Sequence, residues 1–196
     1  MTKLIIGLVT LGMAAGYFVL PQGFLDISGN LLVVGLCIML FFVGVDLGRA
    51  GTVAENFKKV GLRILVFPFA SIVGCLAFAS LASLIFPMTV RESMAVASGF
   101  GWYTLAPVII SDYSVEISAI SFLHNVFRET LGIMLIPIVA KKIGYIETCS
   151  LPGAAAMDVC LPIVEKATDS QTAVYSFVMG VVLSIAVPVL VPLFIA

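Results

Sequence analysis

The chain has 196 residues, of which 61% are hydrophobic and 11% are charged, and its formal net charge is −1. Its mean hydropathy is +1.20. A soluble domain is about half apolar and about a quarter charged, so this composition excludes an ordinary soluble fold and makes lipid the expected surroundings. The 10 basic residues are balanced by 11 acidic ones, which argues against a nucleic-acid-binding surface.

Seven apolar segments are candidates for membrane helices, since crossing the bilayer core takes about 20 residues. Short loops make up nearly all of the rest. The pattern therefore predicts an all-α polytopic membrane protein, with a single transmembrane domain over residues 1–196 and about 5–7 hydrophobic segments. The candidate segments are 4–20, 29–48, 62–86, 94–110, 117–140, 152–165 and 172–195.

The first segment, 4–20, also resembles a secretory signal peptide, because one lysine precedes an apolar run. The residues that follow it, Leu20-Pro21-Gln22-Gly23, make a poor cleavage site. More apolar segments come after it. We therefore expect a retained first helix.

Basic residues in the loops predict the orientation in the membrane. The loop 49–63 carries four of them and should be cytoplasmic, with Asp46 beside Arg49 as a solvated interfacial pair. Lys141 and Lys142 follow segment 117–140 and should also be cytoplasmic. Both loops obey the rule if segment 94–110 dips in and returns. The rule does not decide between crossing and re-entry, for this segment or for 152–165, and either choice leaves the C-terminus outside.

Segments 94–110 and 152–165 are both interrupted by glycine and proline. These residues favour non-helical backbone, which survives at membrane depth only beside protein or water. Paired interruptions of this kind point to a transporter binding site, although kinked packing helices would look similar. The expected substrate-lining residues are Ser98, Gly99, Gly101, Trp102, Tyr103 and Gly153, and the aromatic pair also suits an interfacial belt.

Segment 117–140 carries four polar residues at its centre: His124, Asn125, Arg128 and Glu129. On a helix they fall within an arc of about 140°, so they can all face one polar interior. A charged residue there costs about 2.5–3.5 kcal/mol on insertion scales and usually marks a pathway. The alternative is that the charges only tie helices together, with Arg128 as a counter-ion. His124 is either a core histidine or a proton relay.

Asp158 is a second acid at membrane depth, and it follows three alanines between two prolines. A broken helix here would leave free backbone groups close to the carboxylate, which suits ions and charged substrates. The alternative is an aspartate that caps a helix start. The candidate substrate- or proton-binding residues are therefore Glu129, Asp158, Arg128, Asn125 and His124.

Three strings, in this order and approximate spacing, resemble the LysO family of bacterial lysine exporters. The first runs from Ala95 to Leu105, the second from Phe122 to Glu129 with Ile133–Pro137 behind it, and the third from Pro152 to Asp158 with Leu161-Pro162 behind it. The resemblance implies a secondary transporter, not an enzyme. It would export L-lysine and its analogues across the bacterial cytoplasmic membrane by exchange with protons or another cation, with Glu129 and Asp158 as essential acids.

The resemblance further implies a fold related to the cation–proton antiporter and bile-acid transporter group. This chain matches only the later two-thirds of the family pattern. Either a small membrane partner supplies the missing N-terminal helices, or the chain works as a homodimer.

Other functions remain open from the residues alone. They are an ion-coupled transporter of another small solute, such as an organic anion held by Arg128, a non-transporting membrane subunit, and an intramembrane aspartic protease. The four cysteines form no Cys-x-x-Cys pair, so neither a metal site nor a disulfide is predicted, and no cofactor is expected.

Overall fold

The computed structural model describes residues 2–18, 34, 35, 37, 38, 41, 42, 45 and 64–196, and within these residues it contains helices and no strand. The long elements are α1 (Thr2–Phe18), α2 (Val66–Ala82), α5 (Val115–Lys142) and α8 (Ser170–Ile195). The short ones are α3 (Val90–Ala97), α4 (Ala106–Ser111), α6 (Tyr145–Thr148), a 3-10 helix (Gly153–Met157) and α7 (Leu161–Ala167).

In the described part of the chain, α5 and α8 are the two helices long and apolar enough to cross a membrane, with 28 and 26 residues. Helix α2 is also apolar but has 17 residues. The helical class is confirmed, and these apolar helices fit a membrane protein. The number of hydrophobic segments stays a prediction, because most of 29–48 and the whole 49–63 loop, with Asp46, lie outside the described residues.

The two long helices are capped at their starts by side chains that accept backbone hydrogen bonds. Ser114 accepts from the Ile117 N–H at 3.3 Å before α5, and Asp169 accepts from the Thr172 N–H at 2.7 Å before α8. Each cap satisfies a donor that the first turn of a helix leaves open. Lys141 and Lys142 then end α5, where positive charge suits the helix dipole.

Segment 94–110 leaves one end of the molecule and returns to it. Helix α3 leads inward, turns occupy 98–105, and α4 leads back out. The Tyr113 hydroxyl beyond α4 donates to Glu92 in the first turn of α3 at 3.2 Å, so both ends of the segment lie together. This hairpin is the shape expected of the re-entrant arrangement, and re-entry into the membrane stays a prediction.

Segment 152–165 returns in the same way at the opposite end of the molecule. Cys149 precedes it, and its thiol lies 3.7 Å from the carbonyl oxygen of Thr172, which follows it. Helix α8 then runs back to the first end, where Arg91 donates to the Ala196 oxygen at 3.3 Å. Helices α5 and α8 are therefore antiparallel. Each follows a re-entrant segment, and the two segments enter from opposite ends of the molecule.

The core lies where the re-entrant segments pack against α5 and α8. Ser176 of α8 donates to the Ala156 oxygen at 2.8 Å, and a Cβ atom on Gly180 would lie 2.9 Å from the Ala154 oxygen. These small residues let α8 approach the 3-10 helix closely. By contrast, Phe78 and Ile85 are 75% and 82% exposed, which is the pattern expected of a surface that faces lipid.

Candidate functional site

The two re-entrant segments meet at a backbone hydrogen bond, in which the Ala154 N–H donates to the Phe100 oxygen at 2.8 Å. Gly101 and Gly153 have φ values of 93° and 69°, a region that suits glycine. A Cβ atom on Gly101 would lie 2.9 Å from the Pro152 oxygen, and one on Gly153 would overlap the Phe100 oxygen. Both glycines are therefore required by conformation and by space.

Phe100 itself has a φ of 44° and is fully buried. A non-glycine residue in this region costs about 1–3 kcal/mol and persists only where its surroundings impose it. The predicted interruption at 99–101 is thus present and adjoins the second one. Residues 153–157 differ from the expected irregular stretch, because they form a 3-10 helix, which lies against α8 through small side chains.

Asn125 of α5 holds the first re-entrant turn in place. Its side-chain oxygen accepts from the Gly101 N–H at 2.8 Å, and its amide nitrogen donates to the Ser121 oxygen at 2.8 Å. The residue is fully buried. A Cβ atom on Gly99 would lie 2.7 Å from the same side-chain oxygen. Asn125 therefore connects two backbones and is not part of a cavity wall.

A cavity of about 240 Å³ adjoins the meeting point of the two segments. It receives both acids at membrane depth, Glu129 from α5 and Asp158 from the end of the 3-10 helix, and both are partly buried. The other lining residues come from the two re-entrant segments and from α8: Gly101, Trp102, Tyr103, Thr104, Ala154, Ala155, Met157, Val159 and Ser184.

The Asp158 carboxylate does not cap the start of α7. One of its oxygens accepts from the N–H of the next residue, Val159, at 2.6 Å, whereas the Leu161 N–H donates to the backbone oxygen of Asp158 at 3.1 Å. The described residues give no hydrogen bond to the second Asp158 oxygen or to the Glu129 carboxylate. The cavity thus offers carboxylate oxygens that can bind an ammonium group or a proton.

Arg128 and His124 lie outside this cavity. The guanidinium of Arg128 is 3.4 Å from both the Cys75 thiol and the Ser150 oxygen, and it lies 5.7 Å from the centroid of the Phe100 ring. His124 and Arg128 line a different cavity, of about 420 Å³, bounded also by α2 and α3. Among the described residues, Arg128 makes no ion pair.

The four polar residues of α5 therefore do not share one interior, which corrects the expectation from the sequence. At about 100° per residue, His124 and Arg128 lie at one edge of the 140° arc, Glu129 lies at the other, and Asn125 lies between them. When a neighbouring segment packs against the middle of an arc this wide, the side chains at its two edges face different cavities. Here that segment is the turn held by Asn125.

Three of the expected lining residues, Gly101, Trp102 and Tyr103, do line the Glu129–Asp158 cavity. Their position in the turn beside the acids differs from an interfacial belt. Ser98, Gly99 and Gly153 do not line it: the Ser98 hydroxyl donates to the Met94 oxygen at 2.6 Å, and the two glycines serve the packing of the turns.

Thr104 and Ser184 line the cavity and were not singled out from the sequence. Thr104 directly follows Trp102-Tyr103, so extending that string by one residue would have included it. Ser184 stands in a long apolar run, Val181–Ile195, and its hydroxyl is a polar exception there. Nothing in the local pattern shows that this face of α8 meets Met157, whose sulfur lies 3.8 Å from that hydroxyl.

Comparison with known proteins gives a consistent assignment. The family model described as "Lysine exporter LysO" matches residues 6–195. The chain is 28% identical over 189 residues to "Lysine exporter LysO" of Escherichia coli, covering 96% of this chain and 62% of that relative. It is 29% identical over 199 residues to "Putative lysine exporter" of Haemophilus influenzae, covering 99% and 95%. No solved structure matches it.

Proposed function

This chain belongs to the lysine exporter LysO family, and we propose that it is a secondary transporter that exports L-lysine and lysine analogues across the bacterial cytoplasmic membrane. The observation that carries the proposal is the placement of Glu129 and Asp158 on one cavity, beside two interrupted segments. The names of the two relatives support lysine as the substrate.

Charge explains why a cationic substrate suits this cavity. A carboxylate at membrane depth is tolerated when it is paired, protonated or hydrated. No described residue forms an ion pair with Glu129 or Asp158, so a proton or a cationic ligand can supply the counter-charge. The ammonium groups of lysine provide it, and so do protons when the substrate has left.

The same competition supplies the coupling. Lysine carries one net positive charge at neutral pH, and moving one charge outward against an inside-negative potential costs about 2.3 kcal/mol per 100 mV. One proton that moves inward for each lysine cancels this charge movement. Where both acids exchange a proton, the second proton carries one net charge inward, which favours export. Glu129 and Asp158 bind either the proton or the ammonium, so each species displaces the other.

The arrangement of elements supports a relationship to the cation–proton antiporter and bile-acid transporter group. Helices α3, α4 and α5 form a re-entrant segment followed by a long helix, and the 3-10 helix, α7 and α8 repeat this unit in the opposite direction. Inverted repeats with interrupted helices at the binding site are typical of secondary transporters. We propose that this chain has the same type of architecture.

The basic residues support an orientation. Lys141, Lys142 and Lys166 lie at the end of the molecule where α5 ends and α8 begins, whereas the segments 83–92 and 111–116 at the other end carry one basic residue, Arg91. By the positive-inside rule, the end that carries these three lysines is cytoplasmic. We further propose that the transporting unit is either a homodimer or a complex with a small membrane partner. In the second case the partner supplies the N-terminal helices of the family pattern.

A transporter of organic anions fits the structure less well. That function needs a cation at the substrate, and Arg128 contacts Cys75, Ser150 and Phe100 instead of the acid-lined cavity.

The experiment is radiolabelled lysine flux in vesicles that hold the full chain, with and without a pH gradient. Glu129→Gln and Asp158→Asn each keep the shape of the side chain and remove its charge, so each should abolish pH-driven flux while the protein stays inserted. Glu116→Gln, in the first turn of α5, is the matched control and should retain flux. Near-normal pH-driven flux from the Glu129→Gln/Asp158→Asn double variant would end the proposal.

A further inference from the structure

The acid-lined cavity contains two carboxylates, and none of its described lining residues is lysine, arginine or histidine. A zwitterionic amino acid brings a carboxylate of its own, whose charge only a cation neutralises. The hydroxyl and indole donors of the wall can form hydrogen bonds with that carboxylate, but they leave its charge in place. The charges on the cavity wall therefore match only part of such a substrate.

Two backbone donors beside the cavity are already occupied. The Gly101 N–H donates to Asn125, and the Ala154 N–H donates to the Phe100 oxygen. Arg128 is the nearest cation along α5, but its guanidinium contacts the Cys75 thiol and the Ser150 oxygen, in cavities other than this one. The substrate carboxylate thus gains no charged partner from the described wall.

We propose that the cavity recognises a linear diammonium cation, with one ammonium group for each of Glu129 and Asp158, and that the α-carboxylate of the substrate adds little to binding. This inference rests on the proposed function and deepens it. Two positive and two negative charges leave a neutral cavity, whereas a third carboxylate adds uncompensated charge at membrane depth. The substrate class therefore includes α,ω-diamines of lysine length and lysine derivatives whose carboxyl group is neutral.

The size of the cavity is compatible with this class. Its volume of about 240 Å³ corresponds to about eight water molecules at ~30 Å³ each. Trp102, Tyr103 and Met157 supply apolar wall in the same cavity as the two acids, which suits an aliphatic chain with a charge at each end.

Binding can be measured without transport, because the chain has one tryptophan, Trp102, and it lines the cavity. Its fluorescence in the purified full chain should respond to lysine, and it should respond to lysine amide and pentane-1,5-diamine at concentrations no higher than those needed for lysine. Norleucine lacks the side-chain ammonium, and 6-aminohexanoate lacks the α-ammonium. Each should bind at least about 30-fold more weakly, the loss expected when a buried charge loses its partner.

The same compounds, used as competitors of radiolabelled lysine flux, separate this inference from the proposed function. Competition by the two diammonium compounds supports the inference. Lysine flux that pentane-1,5-diamine does not inhibit, or a Trp102 signal that responds to norleucine as well as to lysine, overturns the inference and leaves lysine export standing. Binding and flux of the diamine without lysine flux supports the inference and removes the proposed function.

Arg128→Gln provides the matched variant. If the cavity binds two ammonium groups, this change leaves the ratio between the affinity for lysine and the affinity for pentane-1,5-diamine unaltered, even where the protein is less stable. A loss of lysine affinity alone would mean that Arg128 holds the substrate carboxylate, and it would overturn the inference.

Discussion

The side-chain oxygen of Asn125 and the backbone N–H of Gly101 form a buried hydrogen bond of 2.8 Å, which joins the first re-entrant turn to α5. Glu129 lies one helical turn further along α5, and Trp102 and Tyr103 directly follow Gly101. One amide therefore sets the position of two aromatic side chains relative to a carboxylate.

Asn125→Ala should leave the Gly101 N–H buried without a partner, at a cost of about 1–3 kcal/mol. Asn125→Asp keeps an acceptor for Gly101 but replaces the donor to the Ser121 oxygen with a negative oxygen, so it should be at least as damaging. Thermal unfolding in detergent and lysine flux together measure the effect. Ser121→Ala retains the backbone acceptor and should be mild. Wild-type stability of Asn125→Ala would show that this bond contributes nothing.

Gly99→Ala should be destabilising, because its Cβ atom would lie 2.7 Å from the Asn125 oxygen. Gly74→Ala is the matched control, since a Cβ atom there meets nothing within 4 Å, and alanine is favoured over glycine within a helix by about 1 kcal/mol. The unfolding temperature should therefore fall for the first variant and hold or rise for the second. Equal changes would contradict the close packing at Gly99.

Two serines of α8 should give opposite results. Ser184 lines the cavity, so Ser184→Ala should change the apparent affinity for lysine and leave stability nearly unaltered. Ser176 is buried and donates to the Ala156 oxygen, so Ser176→Ala should cost about 1 kcal/mol of stability. Flux kinetics and thermal unfolding of both variants check this. A Ser184→Ala protein with unchanged kinetics would remove Ser184 from the site.

Accessibility should reveal re-entry of segment 94–110. In a cysteine-free background, Arg91→Cys and Asp112→Cys should both react with an impermeant reagent outside intact cells, because the Glu92–Tyr113 hydrogen bond places the two ends of the segment together. Lys142→Cys should react only after permeabilisation. Labelling of residues 91 and 112 from opposite sides would mean that the segment crosses the membrane.

The start of α3 should be sensitive to acid. Glu92 lies between predicted membrane segments and accepts hydrogen bonds from the Thr89 N–H and hydroxyl, both at 2.7 Å. These bonds lower the pKa of Glu92 below its usual 4.5, so their stabilisation is present above that value. It is lost as the pH falls through the lower value of the folded protein.

Glu92→Gln lacks this titration. The stability difference between the natural protein and Glu92→Gln should therefore shrink as the pH is lowered below 4.5, as measured by unfolding at several pH values. Because Glu92 is partly exposed to solvent, the difference should be small. A difference that grows on acidification would contradict the assignment.

The interruptions at Gly99–Gly101 and around Gly153 could be predicted from sequence, because glycine and proline act on the local backbone. The position of Glu129 and Asp158 on one cavity could also be anticipated, because acids at membrane depth usually face a shared polar cavity. The separation of Arg128 from Glu129 could not be. Helical periodicity gives the angle between two side chains, but it does not show which segment packs between them.

The role of Asn125 in holding the first re-entrant turn could not be predicted from the sequence for the same reason. A buried amide beside charged residues looks like a ligand-binding group until its partners are known. The partners of Asn125 are the backbone groups of Gly101 and Ser121 and the Ser121 hydroxyl. Ser184 gave little signal, because its neighbours on α8 are apolar on every face.

The hydrogen bond from Ala154 to Phe100 constrains how the chain can be made. The Phe100 carbonyl leaves the ribosome well before its partner has been translated, and lipid offers no substitute donor. A first turn that entered the bilayer core alone would leave this carbonyl without a donor. Entry of the two turns together therefore costs less free energy than entry of the first turn before the second has been made.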